Sequence, residues 1–269
     1  DLGFITFCSF GNPAALTEHP EYASTILAAA DTMMTLFNPA VGTMLSWPRE
    51  LENFGGHNTI MDNMINLETL FWASENGGSR SLYDAAVSHA DTTMKYCFRP
   101  DASSFHVAVY NPEGGHIRSC THQGEGDETT WARGQAWAVY GFTMCYDKTG
   151  ESRFLDMACR TADYFISALP EDKVPNWDFD SAVLHKDVSA SAIVASALLK
   201  LSQLSGKTEY HEEAVAILHS LYDNYRADDS STAFLEHAVG HWPAGSEIDY
   251  SIIYADYYFI EALTRLAAR

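Results

Sequence analysis

The sequence predicts an all-α protein whose helices lie in concentric layers, as in an α/α barrel. Apolar residues recur at i, i+3, i+4 and i+7 in about nine segments. Four of these segments resemble one another; they begin at Glu21, Ser81, Arg153 and Glu209. Short turns and long loops alternate between the segments, which is typical of alternating inner and outer helices. A generic all-α bundle would show the same periodicity, so it stays open as the alternative.

The individual helices follow from their apolar spacing and from the turns that flank them. They cover roughly residues 3–17, 20–37, 59–75, 80–97, 129–147, 151–168, 187–204, 208–225 and 248–267. Asp187 or Ser189 is expected to cap the seventh helix. Two short strand-like segments, Thr43–Trp47 and Phe105–Tyr110, interrupt the long loops. No linker divides the chain, so residues 1–269 are predicted to form a single catalytic domain.

Composition and charge exclude several classes of partner. The chain has 269 residues, 46% of them hydrophobic, which indicates a folded protein with a sizeable core. Its formal net charge of −20 would repel nucleic acids and anionic membranes, so neither is an expected partner. An acidic sugar would need local hydrogen-bond donors or positive charge. No apolar run approaches the roughly 18 residues of a membrane span.

Cysteine and histidine usage gives no sign of a metal centre. The five cysteines are odd in number and form no CxxC pair; they are Cys8, Cys97, Cys120, Cys145 and Cys159. The eleven histidines show neither HxH nor HExxH spacing. Thiols without obvious disulfide partners favour a cytoplasmic location. Secretion stays open, because the natural chain could start upstream of residue 1 and include a signal peptide.

The long loops before the predicted helices combine aromatic rings with hydrogen-bonding groups. Such mixtures are typical of sugar sites, where rings stack on pyranose faces and polar groups bind hydroxyls. The candidates are Trp47, His57, Asp62, His106, His122, Gln123, Trp131, Arg133 and Trp137. Each also has a structural interpretation. Asp62 at a helix start could be a cap, and His106 in an alternating segment could be a partly buried strand residue.

Seven segments resemble the unsaturated glucuronyl hydrolases, glycoside hydrolase family 88, in the same order and across nearly the whole chain. They are DLGF, DNMINLETLFWAS, SHADTTMKYCFRPDASSFHVAVYNPEGG, THQG, WARGQAWAVYGF, LPEDKVPNWDFD and DYYFIEAL. The resemblance implies an (α/α)6 barrel that uses no metal or cofactor. About three of its twelve helices are then expected upstream of residue 1, so that inner apolar faces would be exposed here.

The resemblance also implies roles for particular residues. Asp62 matches the family's general acid/base, and Asp1 matches a second essential carboxylate. The matched substrate-binding positions are Phe4, Trp47, His106, Gln123, Trp131, Arg133, Trp137 and Tyr254. Ala255 stands where the family commonly has Gly, which makes the match around Tyr254 weaker than the others.

The implied reaction is the release of an unsaturated uronic acid from the non-reducing end of lyase-generated oligosaccharides. Water adds across the C4=C5 vinyl ether, with a proton going to C4. A carboxylic acid suited to this step should have a raised pKa. We expect Asp1 and the surrounding indoles to raise the pKa of Asp62. We also expect both acids to face one pocket walled by Trp47, Trp131 and Trp137.

Two other functions stay open from the sequence. The related unsaturated rhamnogalacturonyl hydrolases share the fold and the reaction. A helical protein that binds sugars without catalysis is the alternative outside the enzymes. An unsaturated oligosaccharide is the expected partner in the enzyme interpretations, and the sequence gives no indication of an oligomeric state.

Overall fold

The computed structural model describes residues 1–17 and 19–268, and most of them are helical. The helices are α1 (Leu2–Thr6), α2 (Asn12–Leu16), α3 (Pro20–Met34), α4 (Leu51–Phe54), α5 (Asn63–Glu75), α6 (Arg80–Tyr96), α7 (Ala132–Thr149), α8 (Ser152–Ala168), α9 (Val188–Ser205), α10 (Thr208–Asn224) and α11 (Ile253–Ala267). A π-helical turn, Phe7–Gly11, joins α1 to α2, so these form one continuous helical segment.

Short strands lie in the long loops. They are β1 (Phe37–Asn38), β2 (Thr43–Met44), β3 (His57–Ile60), β4 (Val107–Tyr110), β5 (His116–Cys120), β6 (Ala238–His241) and β7 (Ser246–Tyr250). β3, β4 and β5 form an antiparallel sheet with β4 in the centre, whereas β1–β2 and β6–β7 are separate two-stranded pairs. These strands cover one end of the helices and shape the loops there.

An inner layer is formed by α1 with α2, α5, α7, α9 and α11. Neighbours in this series pack on each other, and α5, α7 and α9 are buried around most of their circumference. Small residues allow the close approach of α5 and α7. A Cβ atom at Gly141 would lie only 2.5 Å from the Cβ of Met64. The apolar, small-residue character of these segments therefore makes them inner helices.

The outer layer is formed by α6, α8 and α10, which pack on α5, α7 and α9 respectively. Each buries one face and exposes the other. In α8 the buried positions include Phe154, Met157, Ala158 and Phe165, which follow the spacing of a single helical stripe. The alternation of fully buried and half-buried helices confirms the predicted α/α-barrel arrangement.

The nine predicted helices are found in the described residues, with α1 to α2 counted as one. Three of them begin three to five residues later than predicted, at Asn63, Ala132 and Ile253. Residues 57–60 and 246–250 form β3 and β7, and Trp131 makes a β-bridge with Asp178. The apolar pattern had assigned residues at these positions to the beginnings of helices, but they pair with other segments as strands or bridges. The cap at Asp187 is confirmed, because its side chain accepts a hydrogen bond from the Ser189 N–H.

Apolar residues on α1 and α11 are exposed. Ile5 is 63% exposed on α1, and Ile253 is 85% exposed on α11. By length and composition, Val188–Ser205 is the one helix of the described chain apolar enough to cross a membrane, which the sequence reading had not identified. It is 78% buried inside the protein and is the core helix α9.

Candidate active site

A cleft opens at the end of the barrel where the inner helices begin. Its inner compartment has a volume of about 180 Å³ and its outer compartment about 420 Å³. Asp1, Asp62, Gln123 and His241 line both compartments. The remaining lining residues are Phe4, Ile65, Arg133, Trp137, Gly240, Glu247 and Tyr254 inside, and Trp47, Glu50, Ile60 and His122 outside.

The sheet sets the position of Asp62. Ile60 pairs with Val107, and the next residue, Met61, donates its N–H to the carbonyl oxygen of His106 at 2.9 Å. Asp62 follows directly, at the start of α5, and its side chain accepts no capping hydrogen bond from that helix. The side chain is 14% exposed. The cap interpretation of Asp62 is therefore wrong, and the carboxylate is available to the cleft.

Two neighbours control the pKa of Asp62. Burial raises the pKa of this carboxyl, but the close contact with His106 and the charge of Arg133 lower it by more. Its pKa thus lies below the ordinary value of 3.8. The expectation of a raised pKa is wrong for the protein without substrate, because it considered Asp1 and the indoles and left out the two groups that stabilise the anion.

Asp1 lies at the start of α1 and faces the same cleft as Asp62. Its Oδ1 accepts a hydrogen bond from Asn66 Nδ2 at 3.2 Å. The Oδ1 of Asn66 in turn accepts the N–H of Phe4 at 2.7 Å. Asn66 therefore fixes the beginning of α1 against α5. The predicted meeting of the two acids in one cleft is confirmed, whereas the catalytic role of Asp1 stays a prediction.

His106 lies behind Asp62, immediately before β4. Its Nε2 is 3.4 Å from Asp62 Oδ2, and its side chain is completely buried. The loop after β5 crosses over the ring and directs the backbone N–H groups of His122 and Gln123 to Nδ1. His106 is thus held against Asp62 rather than being one of the residues that line the cleft.

Arg133, in the first turn of α7, connects the cleft to the β6–β7 hairpin. It forms a buried ion pair with Asp187 at 2.9 Å and donates hydrogen bonds to the carbonyl oxygens of Val239 and Gly240. Gln123 Nε2 also donates to the Gly240 carbonyl, at 2.8 Å. Both residues line the cleft, as expected from the resemblance, and both hold the hairpin in place.

Aromatic rings form much of the remaining wall. Trp47 stacks on Phe54 with ring centroids 5.4 Å apart, at the outer compartment. Phe4 and Trp137 meet edge to face at 5.8 Å, at the inner compartment. Tyr254 also lines the inner compartment, and burial, opposed by the Arg133 charge, raises its pKa to about 12. The phenol is therefore a hydrogen-bond donor at neutral pH.

Trp131 occupies a different position from the other matched aromatics. It is not among the residues that line the cleft. Its ring lies 4.4 Å from the ring of His106, with the Arg133 guanidinium 4.5 Å from its centroid. Trp131 therefore supports the cleft from behind, and its predicted contact with a sugar stays a prediction.

Three residues at the site were missed as candidates by sequence reasoning. Asn66 is one turn beyond Asp62 on α5, a spacing that would have shown that they share a face. His241 and Glu247 belong to the β6–β7 hairpin, and no local pattern joins that segment to the cleft. Within residues 1–17 and 19–268, no three His, Cys, Asp or Glu side chains are grouped as metal ligands.

Comparison with known proteins places this site in a family. The chain is 40% identical to an unsaturated glucuronyl hydrolase of Formosa agariphila, over 98% of this chain and 68% of that protein. A crystal structure of an unsaturated glucuronyl hydrolase specific for heparin superposes with a TM-score of 0.94 at 40% identity, covering 99% of this chain and 74% of that one.

A third relative carries a bound sugar. It is a mutant unsaturated glucuronyl hydrolase from Streptococcus agalactiae complexed with dGlcA-GalNAc6S. It matches with a TM-score of 0.82 at 28% identity, over 99% of this chain and 68% of that one. No protein-family model matches the chain.

The helical layers and the cleft with its acids and aromatic rings define a glycosidase of the α/α-barrel class. The chain belongs to the unsaturated glucuronyl hydrolases. The predicted family, fold class and enzyme function are confirmed by these comparisons. The relatives act as glucuronyl or chondroitin disaccharide hydrolases by name, so the comparisons favour the glucuronyl group over the rhamnogalacturonyl one.

Proposed function

We propose that Asp62 is the general acid/base of this enzyme and that it hydrates an unsaturated uronate bound in the inner compartment. The observation that carries the proposal is the placement of Asp62. Its carboxylate borders the cleft, caps no helix N–H and is held beside His106. Asp1, which lines the same cleft, would bind sugar hydroxyls as an acceptor.

The proposed step adds one molecule of water across the C4=C5 bond. Protonated Asp62 donates its proton to C4, and the positive charge that develops is shared by C5 and the ring oxygen. A water molecule attacks C5 and returns a proton to the Asp62 carboxylate. The resulting hemiketal opens by breaking the bond from C5 to the ring oxygen, and the hemiacetal at C1 then releases the aglycone as an alcohol.

The cleft has the donors that an acidic sugar requires despite the net charge of −20. Of the described residues that line it, Arg133 is the single arginine or lysine. Trp137 lines the inner compartment, and the Tyr254 phenol faces the same compartment. We infer that these groups bind the uronate end, while the outer compartment with Trp47 receives the aglycone.

The substrate class is tested with a panel of lyase-generated oligosaccharides. Unsaturated disaccharides from chondroitin, from heparin and from rhamnogalacturonan are incubated with the enzyme, and the ultraviolet absorbance of the double bond is followed together with aglycone release. We expect absorbance and intact disaccharide to be lost at the same rate for a glycosaminoglycan substrate. Turnover of the rhamnogalacturonan product alone, or binding without turnover of any sugar, would contradict the proposed function.

A further inference from the structure

His106 is close to the reacting centre but is closed off from the cleft. Its side chain has no exposed surface. The ring lies between Trp131, 4.4 Å away between centroids, and Trp47, which meets it edge to face at 5.9 Å. A sugar in either compartment would therefore meet Asp62 but not this imidazole.

Backbone donors determine the tautomer of His106. The N–H groups of His122 and Gln123 point at Nδ1, at 3.2 and 3.1 Å respectively. A backbone N–H can only donate, so Nδ1 must be the unprotonated acceptor nitrogen. The proton of the neutral ring is then on Nε2. The backbone of the loop after β5 thus fixes the tautomer of His106, and no side chain of that loop is needed.

The protonated nitrogen faces the catalytic carboxylate. Nε2 is 3.4 Å from Asp62 Oδ2, and both atoms are buried; within the described residues, neither makes a hydrogen bond of standard geometry. This distance is long for an N–H···O bond, and such contacts commonly shorten when substrate closes the site. Because Oδ2 is fully buried, the 14% of the Asp62 side chain that is exposed does not include it.

We propose that His106 is a positioning residue that decides which oxygen of Asp62 carries the catalytic proton. An N–H donor on Nε2 requires Oδ2 to remain an acceptor. The proton that Asp62 delivers to C4 must therefore reside on Oδ1, the carboxylate oxygen that is not buried against His106. The inference rests on the proposed function of Asp62, but the tautomer on which it depends can be measured without substrate.

The charge state of Asp62 also depends on groups from the other elements around it. Those with a charge or a titrating group near the carboxylate are Asp1 before α1, His122 in the loop after β5, Arg133 on α7, Glu247 on β7 and Tyr254 in the first turn of α11. All of them stay in place when only position 106 is changed. A difference between variants at this position therefore reports the His106 contact.

The tautomer is tested first, by nitrogen NMR of the resting enzyme labelled in histidine. We expect His106 to show an unprotonated Nδ1 and a protonated Nε2 at neutral pH. The opposite pattern would overturn the inference directly, whatever the activity assay gives. If the NMR pattern is as expected but Asp62→Asn remains active, the failure belongs to the proposed function and not to the tautomer.

Two substitutions at position 106 test the roles of the two ring nitrogens separately. Gln places an amide N–H₂ near the position of Nε2, so His106→Gln should keep kcat within about tenfold of wild type. Asn places its amide near Nδ1 and removes the donor to Asp62, so His106→Asn should lower kcat by about a hundredfold or more. KM should stay within about threefold in both variants, because the ring does not touch the sugar.

The pH profile distinguishes positioning from general structural damage. Losing the donor in His106→Asn should raise the pKa of Asp62 and move the limb of the kcat/KM profile to higher pH, whereas His106→Gln should leave it near its wild-type position. His57→Gln is the matched control, since His57 is a buried histidine of β3 whose Nε2 bonds to Thr43 at 2.9 Å, outside the cleft. It should lower stability without moving the profile.

Two results would overturn the positioning role. The first is a rise in KM with unchanged kcat in both variants, which would make His106 a substrate-binding residue. The second is an equal loss of kcat in His106→Gln and His106→Asn with an unmoved pH profile, which is the outcome expected if the ring only fills space.

Discussion

Asp62 is subject to opposing influences on its charge. Burial favours the protonated acid, whereas His106 and Arg133 stabilise the anion by more, so the carboxyl of the free enzyme has a lowered pKa. A general acid nevertheless needs a proton. A bound uronate favours the protonated form of Asp62, because its carboxylate adds like charge and excludes water. Both effects raise the pKa of a neighbouring acid.

This change of pKa on binding can be measured from kinetics. The kcat/KM profile reports the acid in the free enzyme, and kcat reports it in the complex. Since the protonated form is active, each rate should fall as pH rises through the corresponding pKa. We expect the value seen in kcat to exceed the value in kcat/KM by about one unit or more. Equal pKa values in the two profiles would show that substrate binding does not raise the pKa of Asp62.

Trp137 on α7 and Trp131, the residue before α7, should respond differently to substitution. Trp137 lines the cleft, so Trp137→Phe, which removes part of the ring surface offered to the sugar, should raise KM by about 3- to 10-fold with little loss of stability. Trp131→Phe is the control, because this ring lies behind His106. A larger increase in KM for Trp131→Phe than for Trp137→Phe would support the predicted contact of Trp131 with the sugar.

The positions of the two acids could be predicted from the sequence, but the direction of the Asp62 pKa shift could not. Asp62 and Asp1 were found from their local strings, and both face the cleft. The direction of the Asp62 pKa depends on His106 and Arg133, which are 44 and 71 positions away along the chain. Such electrostatic effects follow from tertiary distances, and no local spacing contains them.

Among the elements, the β6–β7 hairpin depends on α7 for its position. Arg133 donates to the carbonyl oxygens of Val239 and Gly240 and pairs with Asp187, all in a buried environment. Gln123 holds the same strand from the loop after β5. The hairpin carries His241 and Glu247 into the cleft, so the geometry of the site depends on this guanidinium.

Removal of the Arg133 charge should therefore damage the fold. Arg133→Met leaves Asp187 buried without its partner, and we expect the free energy of unfolding to fall by about 3–5 kcal/mol. Arg153→Met is the matched control, because Arg153 pairs with Asp91 where both side chains are more than a third exposed. That change should cost less than about 1 kcal/mol. Equal losses in denaturant titrations would contradict the assigned role of Arg133.

The helices were predictable because their apolar periodicity is strong and local. α8, for example, was predicted at 151–168 and is found at Ser152–Ala168. The strands were mostly missed, since β3 and β6 have only four residues each; β3 pairs with β4 far along the chain, and β6 pairs with β7 in a hairpin. Their pairing partners, rather than their own composition, determine that they are strands.

In the molecule as a whole, four inner helices bring charged groups together beneath the cleft. Glu261 of α11 accepts hydrogen bonds from Tyr140 of α7 and Ser196 of α9, and it pairs with Arg265. Glu68 of α5 lies beside this cluster. Burial and the Glu261 charge raise the pKa of Glu68 to about 7. The folded protein therefore favours the protonated form of Glu68.

The raised pKa makes stability depend on pH in a defined direction. Below the ordinary Glu pKa of 4.5, Glu68 is protonated in both the folded and the unfolded chain and does not change the free energy of unfolding. As pH rises from there to about 7, folding is opposed by ionisation of the unfolded chain, by up to about 3 kcal/mol. Glu68→Gln should thus stabilise the protein at pH 8 and not at pH 4.5 in denaturant titrations. A gain equal at both pH values would contradict the assignment.

The most direct measurement compares Asp62→Asn with wild type on an unsaturated glycosaminoglycan disaccharide, following ultraviolet absorbance. We expect turnover to fall by about a hundredfold or more. The free energy of unfolding should change by less than about 1 kcal/mol, because this carboxylate caps no helix N–H. Asp84→Asn, at an exposed pair with Arg80, should leave both quantities unchanged. Near-wild-type turnover in folded Asp62→Asn would contradict the catalytic assignment of Asp62.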